Sequence, residues 1–484
     1  AAALAYALLA GLTLPTQRAL IMLVIAAGAV LLRRGLLPGH ALLLAFAGVL
    51  LFDPLAALAT GFWMSFAAVA VLIWTFAWRP NQGSGFRAWL SGLLRSQLMI
   101  GLGLIALNAG VFNQVQWMGF PANLVAIPLV GFWILPSLLM SLVMIALDWP
   151  ATAFLWLCEM GLEMLIDYLQ WLQAISPATR VRPSISLAAM VLGVLGSLWL
   201  IGPPGWPARW LGLGLLVPVI WPALTPPLDS DELVLEMLDV GNGQAVLIQT
   251  RSELLLYDTG PGDGDGGDAI GRLLPAALAD LERSRIDRLV VSSLHGGSRG
   301  GLASVIDQVP ATQHFSAIGG QGVPCTSTIR WMSDAYHFSF LHPSPGLPDL
   351  GPNSSCVLMI EGPGGKILLT GRIDAGVERR LLVENSVLDV DVLVLADGGH
   401  RRAGSMSFIE ALRPHLALAS NERHDRWGRP HPELLDRLEA QDVALLSTGR
   451  CGALALRLQD GQPPSIVSAL GRSSRFWHPE GDCP

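Results

Sequence analysis

At 484 residues the chain is long enough for two or three domains, and it is 52% hydrophobic and only 14% charged, against about 25% charged in an ordinary soluble domain. A mean hydropathy of +0.49 excludes a single water-soluble globule of average composition. The net charge of −7 is unevenly spread: residues 1–225 carry nine arginines, no lysine and five acids, a balance of +4, which leaves −11 for the rest. A basic, apolar half is joined to an acidic, water-soluble one.

A membrane span needs about 20 mostly apolar residues. Candidates lie near Ala1–Leu14, Ala19–Leu32, Ala41–Leu58, Gly61–Trp78, Gln97–Phe112, Leu124–Leu147, Ala151–Leu172, Leu187–Ile201 and Trp210–Leu224. The chain begins inside an apolar segment without an initiator Met, so it is expected to be a piece or to lack its natural start. Several spans are short or broken by Pro15, Pro54, Pro128 and Pro136. A broken spanning backbone must find its hydrogen bonds in protein or in a water-filled cavity, a pattern suited to a transport path. Arg33, Arg34, Arg79, Arg87 and Arg95 mark cytoplasmic loops by the positive-inside rule, which puts the soluble half on the far side; Arg180 and Arg182 then fall on the wrong side.

Glu159, Glu163 and Asp167 recur every four residues and share one helix face. They read either as a membrane-path stripe or as the polar face of an interfacial helix meeting headgroups. A row of carboxylates would repel a phosphate backbone. Gln17-Arg18 and Asn113-Gln114, at span ends, are equally open.

The segments Gly11-Leu12-Thr13-Leu14-Pro15-Thr16-Gln17-Arg18, Phe52-Asp53-Pro54, Gly61-Phe62-Trp63-Met64-Ser65-Phe66 and Pro121 to Val130 occur in that order. In this the apolar half resembles the competence domain of the ComEC family, bacterial channels that pass one strand of incoming DNA across the inner membrane. The resemblance implies single-stranded DNA, a periplasmic DNA receptor, a cytoplasmic helicase-like motor and the lipid bilayer as partners, with a homo-oligomer left open. No nucleotide-binding loop occurs in the sequence, so energy is expected from elsewhere. Family members carry an OB-like domain and earlier spans that have no counterpart here.

The change of period after the proline-rich 222–227 stretch sets the domains at 1–225 and 226–484. Leu233–Leu238, Ala245–Thr250, Leu254–Tyr257, Leu289–Ser293, Cys356–Ile360, Lys366–Thr370, Val392–Leu395 and Leu416–Ala419 read as strands. Leu273–Arg283, Ala375–Glu384, Met406–Leu412 and Pro432–Gln441 read as helices, and the Gly/Asp run 263–268 as a turn. The expected fold is a polytopic α-helical membrane domain followed by an α/β, αββα-sandwich domain. Cys325, Cys356, Cys451 and Cys483 show no CxxC or zinc-knuckle spacing. They read as scattered free thiols, with one disulfide open in an oxidising compartment.

Leu238-Asp239-Val240-Gly241-Asn242-Gly243 and Tyr257-Asp258-Thr259-Gly260 are similar to the opening of a metallo-β-lactamase-type hydrolase. Such a site needs His and carboxylate ligands converging on one or two metals with an open position for water. The resemblance aligns Ser-His-x-Asp-x-Asp-His-x-Gly-Gly-Leu with Ser292 to Leu302, and its four ligand positions become Ser293, His295, Gly297 and Ser298. The family's Thr-Gly-Asp becomes Thr370-Gly371-Arg372, and a guanidinium has no lone pair for a metal. The later His-His-Gly-Ser becomes Asp397-Gly398-Gly399-His400, and Tyr-Gly-His-Pro-His-Pro becomes Trp427-Gly428-Arg429-Pro430-His431-Pro432.

The expected outcome is a metal-free, non-hydrolytic domain without a cofactor. The rival is a rearranged zinc or manganese site on His295, Asp397, His400 and His431, backed by Asp258, serving a membrane-tethered nuclease that degrades the strand not taken up. In the bland reading His295 and His400 are loop residues, His431 caps a helix and Asp258 holds backbone amides. Arg401, Arg402, Arg413, Arg423, Arg426 and Arg429 around Trp427 offer phosphate contact and base stacking. The alternative is a solvated surface on an acidic unit. Localisation is expected in the bacterial inner membrane, multi-pass, with the second domain extracytoplasmic.

Overall fold

The computed structural model describes residues 2–9, 11, 13–31, 37–77, 85–112, 118–175, 186–203, 205–220, 227–262, 269–281, 283, 285–384, 389–469 and 483. Of the sequence expectations, Arg33, Arg34, Arg79, Asn113, Gln114, Arg180, Arg182 and the 263–268 run lie outside them. The chain divides into two units, Ala1–Leu224 and Thr225–Pro484.

The first unit is helical: α1 (Ala2–Leu9), α2 (Leu14–Leu31), α3 (Pro38–Phe52), α4 (Thr60–Ala77), α5 (Phe86–Phe112), α6 (Gly119–Leu129), α7 (Leu135–Ala146), α8 (Thr152–Ile175), α9 (Leu187–Ile201) and α10 (Leu211–Ile220). Asp53 ends α3, and its carboxylate accepts the Leu55 N–H at 3.0 Å, opening the 3-10 turn Pro54–Leu58. A π turn at Val130–Ile134 joins α6 to α7 between Pro128 and Pro136, where the missing N–H groups interrupt the regular ladder. Glycines bring α9 and α10 together: a Cβ on Gly196 would stand 2.7 Å from the Gly212 carbonyl.

Among the described residues, Leu90–Gly110 and Gly119–Ala146 are the two helical stretches both long and apolar enough to cross a membrane. The other apolar stretches of the unit, such as Pro38–Phe52 and Leu187–Ile201, are shorter. Of the nine candidate spans in the sequence, those on α5 and on α6–α7 meet this test among the described residues, while the unbroken α8 carries three carboxylates. Large apolar side chains lie open along these helices, Leu51 and Phe52 being more than four-fifths exposed.

The second unit is a four-layer sandwich. One sheet runs in the order β15-β14-β1-β2-β3-β4-β5-β6. Its strands are β1 (Glu232–Met237), β2 (Val246–Gln249), β3 (Leu254–Tyr257), β4 (Ile286–Val291), β5 (Ala311–Ser316), β6 (Val323–Pro324), β14 (Leu454–Gln459) and β15 (Ser465–Ser468). The other runs β13-β12-β11-β10-β9-β8-β7. It consists of β7 (Arg330–Ser333), β8 (Tyr336–His342), β9 (Val357–Gly362), β10 (Gly365–Leu369), β11 (Val392–Val394), β12 (Leu416–Ala419) and β13 (Ala444–Ser447).

Alternation along the strands builds the layers. Leu255 and Tyr257 point between the sheets, where Leu233, Leu235, Phe338, Phe340, Leu358 and Leu369 meet them. Leu254 and Leu256 point outward onto α11 (Ala269–Asp280) and α13 (Leu302–Gln308) through Leu274 and Val305. On the far face α14 (Ala375–Glu384), α15 (Met406–Leu412) and α16 (Pro432–Glu439) cover the second sheet through Leu381, Phe408 and Leu434. The result is the αββα arrangement.

The cysteine reading is corrected here. Cys325 is bonded to Cys356 and Cys451 to Cys483, while Cys158 is free and buried. Each pair is joined at a sequence separation, 31 or 32, that no short motif announces.

Candidate functional site

Loops following the strand ends of both sheets meet at one place. After β3, Asp258 takes a left-handed backbone (φ 61°) and turns its carboxylate onto the next loop. Oδ1 accepts the Ser292 N–H at 2.6 Å, and Oδ2 accepts the Ser292 hydroxyl at 2.7 Å. Complete burial pushes its pKa up to about 7, against the pull of those bonds and of Arg372. Asp258 thus clamps β3 to β4.

After β4, the short helix α12 (Gly296–Arg299) begins on His295, whose Nδ1 accepts the Gly297 N–H at 3.3 Å. Burial, then the charge of Arg372, lower the pKa of His295. Glycine is required where the loops touch, since a Cβ on Gly300 would fall 1.9 Å from the Gly262 nitrogen.

From the second sheet, Arg372 follows β10 and Asp397 follows β11. Their side chains form a two-pronged ion pair, Nη1 to Oδ1 and Nη2 to Oδ2, the latter at 2.8 Å. Arg429 adds a second guanidinium: its Nη1 donates to Asp397 Oδ1 at 2.9 Å, and its Nη2 to Asn242 Oδ1 at 3.1 Å. Arg429 also holds Asp425 through Nε at 3.1 Å, and those bonds keep the Asp425 carboxyl below its ordinary range despite burial. The side chains of Arg372, Asp397 and Arg429 are 16%, 19% and 10% exposed. A cavity of about 10 Å³ between them, Gln244 and Ser298 has room for about one water.

Three positions aligned above with ligand-bearing segments therefore do meet in space, as guanidinium, carboxylate and guanidinium. This set does not fit a divalent ion. Asp397 is saturated by two arginines, and Arg372 directs fixed positive charge where a metal would need a lone pair. Among the described residues, no three His, Cys, Asp or Glu side chains are grouped to hold a metal. Ser293 and Ser298 are buried, and Gly297 lines the cavity.

The rearranged cluster of histidines is not assembled. His400 Nδ1 accepts the Arg402 N–H at 3.2 Å, and His431 Nδ1 accepts the Glu433 N–H at 3.3 Å as the cap of α16. With His295, each of the three histidines spends Nδ1 on a backbone N–H two residues ahead.

The surface arginines divide. Arg429 faces inward. Arg401 pairs with Glu433 at 2.7 Å on the exposed face, and Arg402 is exposed. Arg423 and Arg426 are exposed, and Trp427, 53% exposed, carries the Arg426 guanidinium 4.0 Å and the Arg429 guanidinium 4.7 Å from its ring centroid. In the helical unit, Glu159, Glu163 and Asp167 are exposed on α8, on the side away from its buried Cys158, Gly161 and Leu172. The inward role of Arg429 was missed in the sequence. Its signal is Asp425, four residues before it, whose carboxylate holds the Arg429 Nε at 3.1 Å.

Together these features define a two-part class: an apolar helical region with two long membrane-compatible helices, and a metallo-β-lactamase-like αββα domain whose ligand positions hold an ion-paired network. The Competence protein family matches residues 1–206. Competence protein ComA of Neisseria gonorrhoeae is 34% identical over 95% of this chain and 64% of its own length. Recombination protein 2 of Haemophilus influenzae is 26% identical over 93% and 61%. ComE operon protein 3 of Bacillus subtilis is 21% identical over 87% and 58%. Residues 1–206 belong to the Competence protein family, and the likeness to these relatives runs on through the second unit. The chain spans about three-fifths of the length of these relatives. Solved structures similar to the second unit include the metallo-β-lactamase fold protein YhfI of Bacillus subtilis (10% identical, 45% of this chain and 95% of that one, TM-score 0.32). Another is zinc-bound PqqB of Methylobacterium extorquens (10% identical, 45% and 97%, TM-score 0.29). The fold assignment rests on the layers and strand orders above.

Proposed function

We propose that this chain is part of an inner-membrane apparatus that conducts a single strand of incoming DNA during natural transformation, and that its sandwich domain guides the strand without cutting it. The match of residues 1–206 to the Competence protein family and the two long apolar helices support the transport reading. The observation that carries the non-hydrolytic reading is the network Arg372–Asp397–Arg429, which fills the ligand positions with an internal ion pair. Trp427 between Arg426 and Arg429 supplies a stacking surface beside positive charge, the combination that holds unpaired bases and phosphates. A periplasmic DNA receptor delivers the strand, a cytoplasmic helicase-like motor draws it in, and homo-oligomerisation is compatible with this role.

The two disulfides support an extracytoplasmic position for the sandwich, because such bonds persist in oxidising compartments. The test has two arms. Deletion of the gene is expected to abolish entry of labelled DNA into the cytoplasm. The purified full chain is expected to hold no stoichiometric zinc or manganese. A bound equivalent that is lost on His295→Ala would overturn the non-hydrolytic reading in favour of the nuclease.

A further inference from the structure

The two membrane-compatible stretches lie on α5 and on the α6–α7 segment. Between α5 and α6 is a cavity of about 240 Å³. Its apolar lining is interrupted by three carboxamides: Gln97 and Asn108 on α5, and Asn123 on α6. Gln97 and Asn108 stand about three turns apart on one face of α5. Gln97 is only 8% exposed, Asn108 is half-buried and Asn123 is exposed at the opening. Among the described residues, none of these side chains has a hydrogen-bond partner within the protein. Among the described residues, no ionisable side chain lines the cavity.

Helices this apolar are built for a lipid environment, and an unpaired amide in hydrocarbon is costly. Three of them around one space need a polar occupant. A cavity of this volume holds several waters, and each carboxamide offers both donors and an acceptor. Such a lining can exchange hydrogen bonds with phosphate oxygens and with base edges. Being neutral, it neither traps a polyanion, as arginines would, nor repels it, as the α8 carboxylates would.

We propose that the amide-lined cavity between α5 and α6 is a water-filled stretch of the path by which a single nucleic-acid strand crosses the membrane, Gln97, Asn108 and Asn123 passing its polar groups along. The path rests on the function proposed above; the water-filled state does not.

The test is thiol accessibility in the full-length protein in native membranes, with Cys158→Ser as background. Asn108→Cys and Leu142→Cys are compared with a membrane-impermeant, charged methanethiosulfonate, Leu142 being an exposed apolar residue of α7. Thiolate forms where water reaches, so Asn108→Cys is expected to react at least roughly tenfold faster than Leu142→Cys. The adduct is expected to lower DNA uptake by a similar factor. Gly101→Cys is the second probe, since a Cβ there meets nothing within 4 Å and folding is spared.

Equal rates at both cavity positions and at Leu142 would mean a dry cavity, or one closed by another helix pairing with the amides, and would overturn the proposal. So would complete labelling with uptake unchanged. Uptake that survives deletion of the gene would instead remove the function itself, while the labelling rates would still decide whether the cavity holds water.

Discussion

Leucine does opposite things in the two units. In the sandwich Leu233, Leu235 and Leu256 are fully buried, whereas in the helical unit Leu51, Leu187 and Leu43 are mostly exposed. Polar groups reverse in the same way. The sandwich buries acidic side chains that have partners, as at Asp397 between two arginines and Asp258 on Ser292. The helical unit leaves carboxamides open toward a cavity. The difference lies in the solvent each surface suits: water around the sandwich, hydrocarbon around the apolar helices.

If the matched charges hold the sandwich loops, Arg429→Ala has the largest effect. It strips Asp425, whose side chain is 1% exposed, of its main partner and Asp397 of one of two. Removing one side of a buried pair costs about 3–5 kcal/mol. In the full chain in detergent this loss is expected as faster hydrogen exchange in peptides spanning 392–431, with the helical unit unchanged. Arg372→Ala is expected to do less, since Asp397 keeps Arg429. Unchanged exchange in both variants would break the comparison.

The second effect depends on pH. The Asp258 carboxyl is raised to about 7 by burial from an ordinary 3.8. The folded state therefore holds a proton that the unfolded state releases between those values. This group's contribution is fully present below about pH 4 and is lost as pH rises through 7, by up to about 4 kcal/mol. Asp258→Asn keeps an acceptor for the Ser292 N–H and tolerates the left-handed backbone. Protection of β3 and β4 amides is expected to fall between pH 4 and 7 in the parent and to stay nearly level in the variant. An equal fall in both would assign the pH dependence to other groups.

Much of the sandwich was legible because its strands are short apolar runs closed by glycine or charge. Leu254–Tyr257, Ala375–Glu384, Met406–Leu412 and Leu416–Ala419 coincide with β3, α14, α15 and β12. The helix read as starting at Leu273 begins at Ala269 and tolerates Pro275 within it. The strands β5 to β8 were not read. β5 alternates poorly, with Thr312 and Gln313 both exposed, and β6 has two residues. They are strands because neighbours pair with them.

At the site, the replaced ligands could be seen one by one, but not their meeting. Arg372 and Asp397 come from separate strands, and Arg429 read as an outward DNA contact until Asp425 and Asp397 turned it in. The cap role of His431 was visible from the prolines beside it, whereas His295, read as a loop residue, caps α12.

The disulfides offer a third way to sharpen the contrast. Cys325–Cys356 staples the first sheet to the second across their shared core, closing a separation of 31 residues. A loop of that length is worth roughly 2–4 kcal/mol when closed. The double variant Cys325→Ser and Cys356→Ser is expected to lose protection in β5, β8 and β9 by that amount. The helical unit, whose described cysteine is free, is expected not to respond to reductant. Alkylation of whole cells without reductant is expected to leave all four sandwich cysteines unmodified; modified thiols in the native protein would place the sandwich in a reducing compartment.

The smallest effect concerns Trp427. Its unit carries about −11 net charge, so any strand it holds must be held locally, by stacking and nearby guanidiniums, against long-range repulsion. Stacking on one aromatic is worth roughly 1–3 kcal/mol per base, so Trp427→Ala in the detergent-solubilised full chain is expected to weaken a short fluorescent single strand by roughly 5- to 150-fold. Arg423→Gln and Arg426→Gln act differently. Each removes a phosphate contact and is expected to flatten the slope of log affinity against log salt by about 0.7. Arg401→Gln is the control, because Arg401 is already paired with Glu433 and is expected to leave both quantities unchanged. A Trp427→Ala chain that binds the strand as tightly as the parent would make this loop a solvated surface and leave strand contact to the helical unit alone.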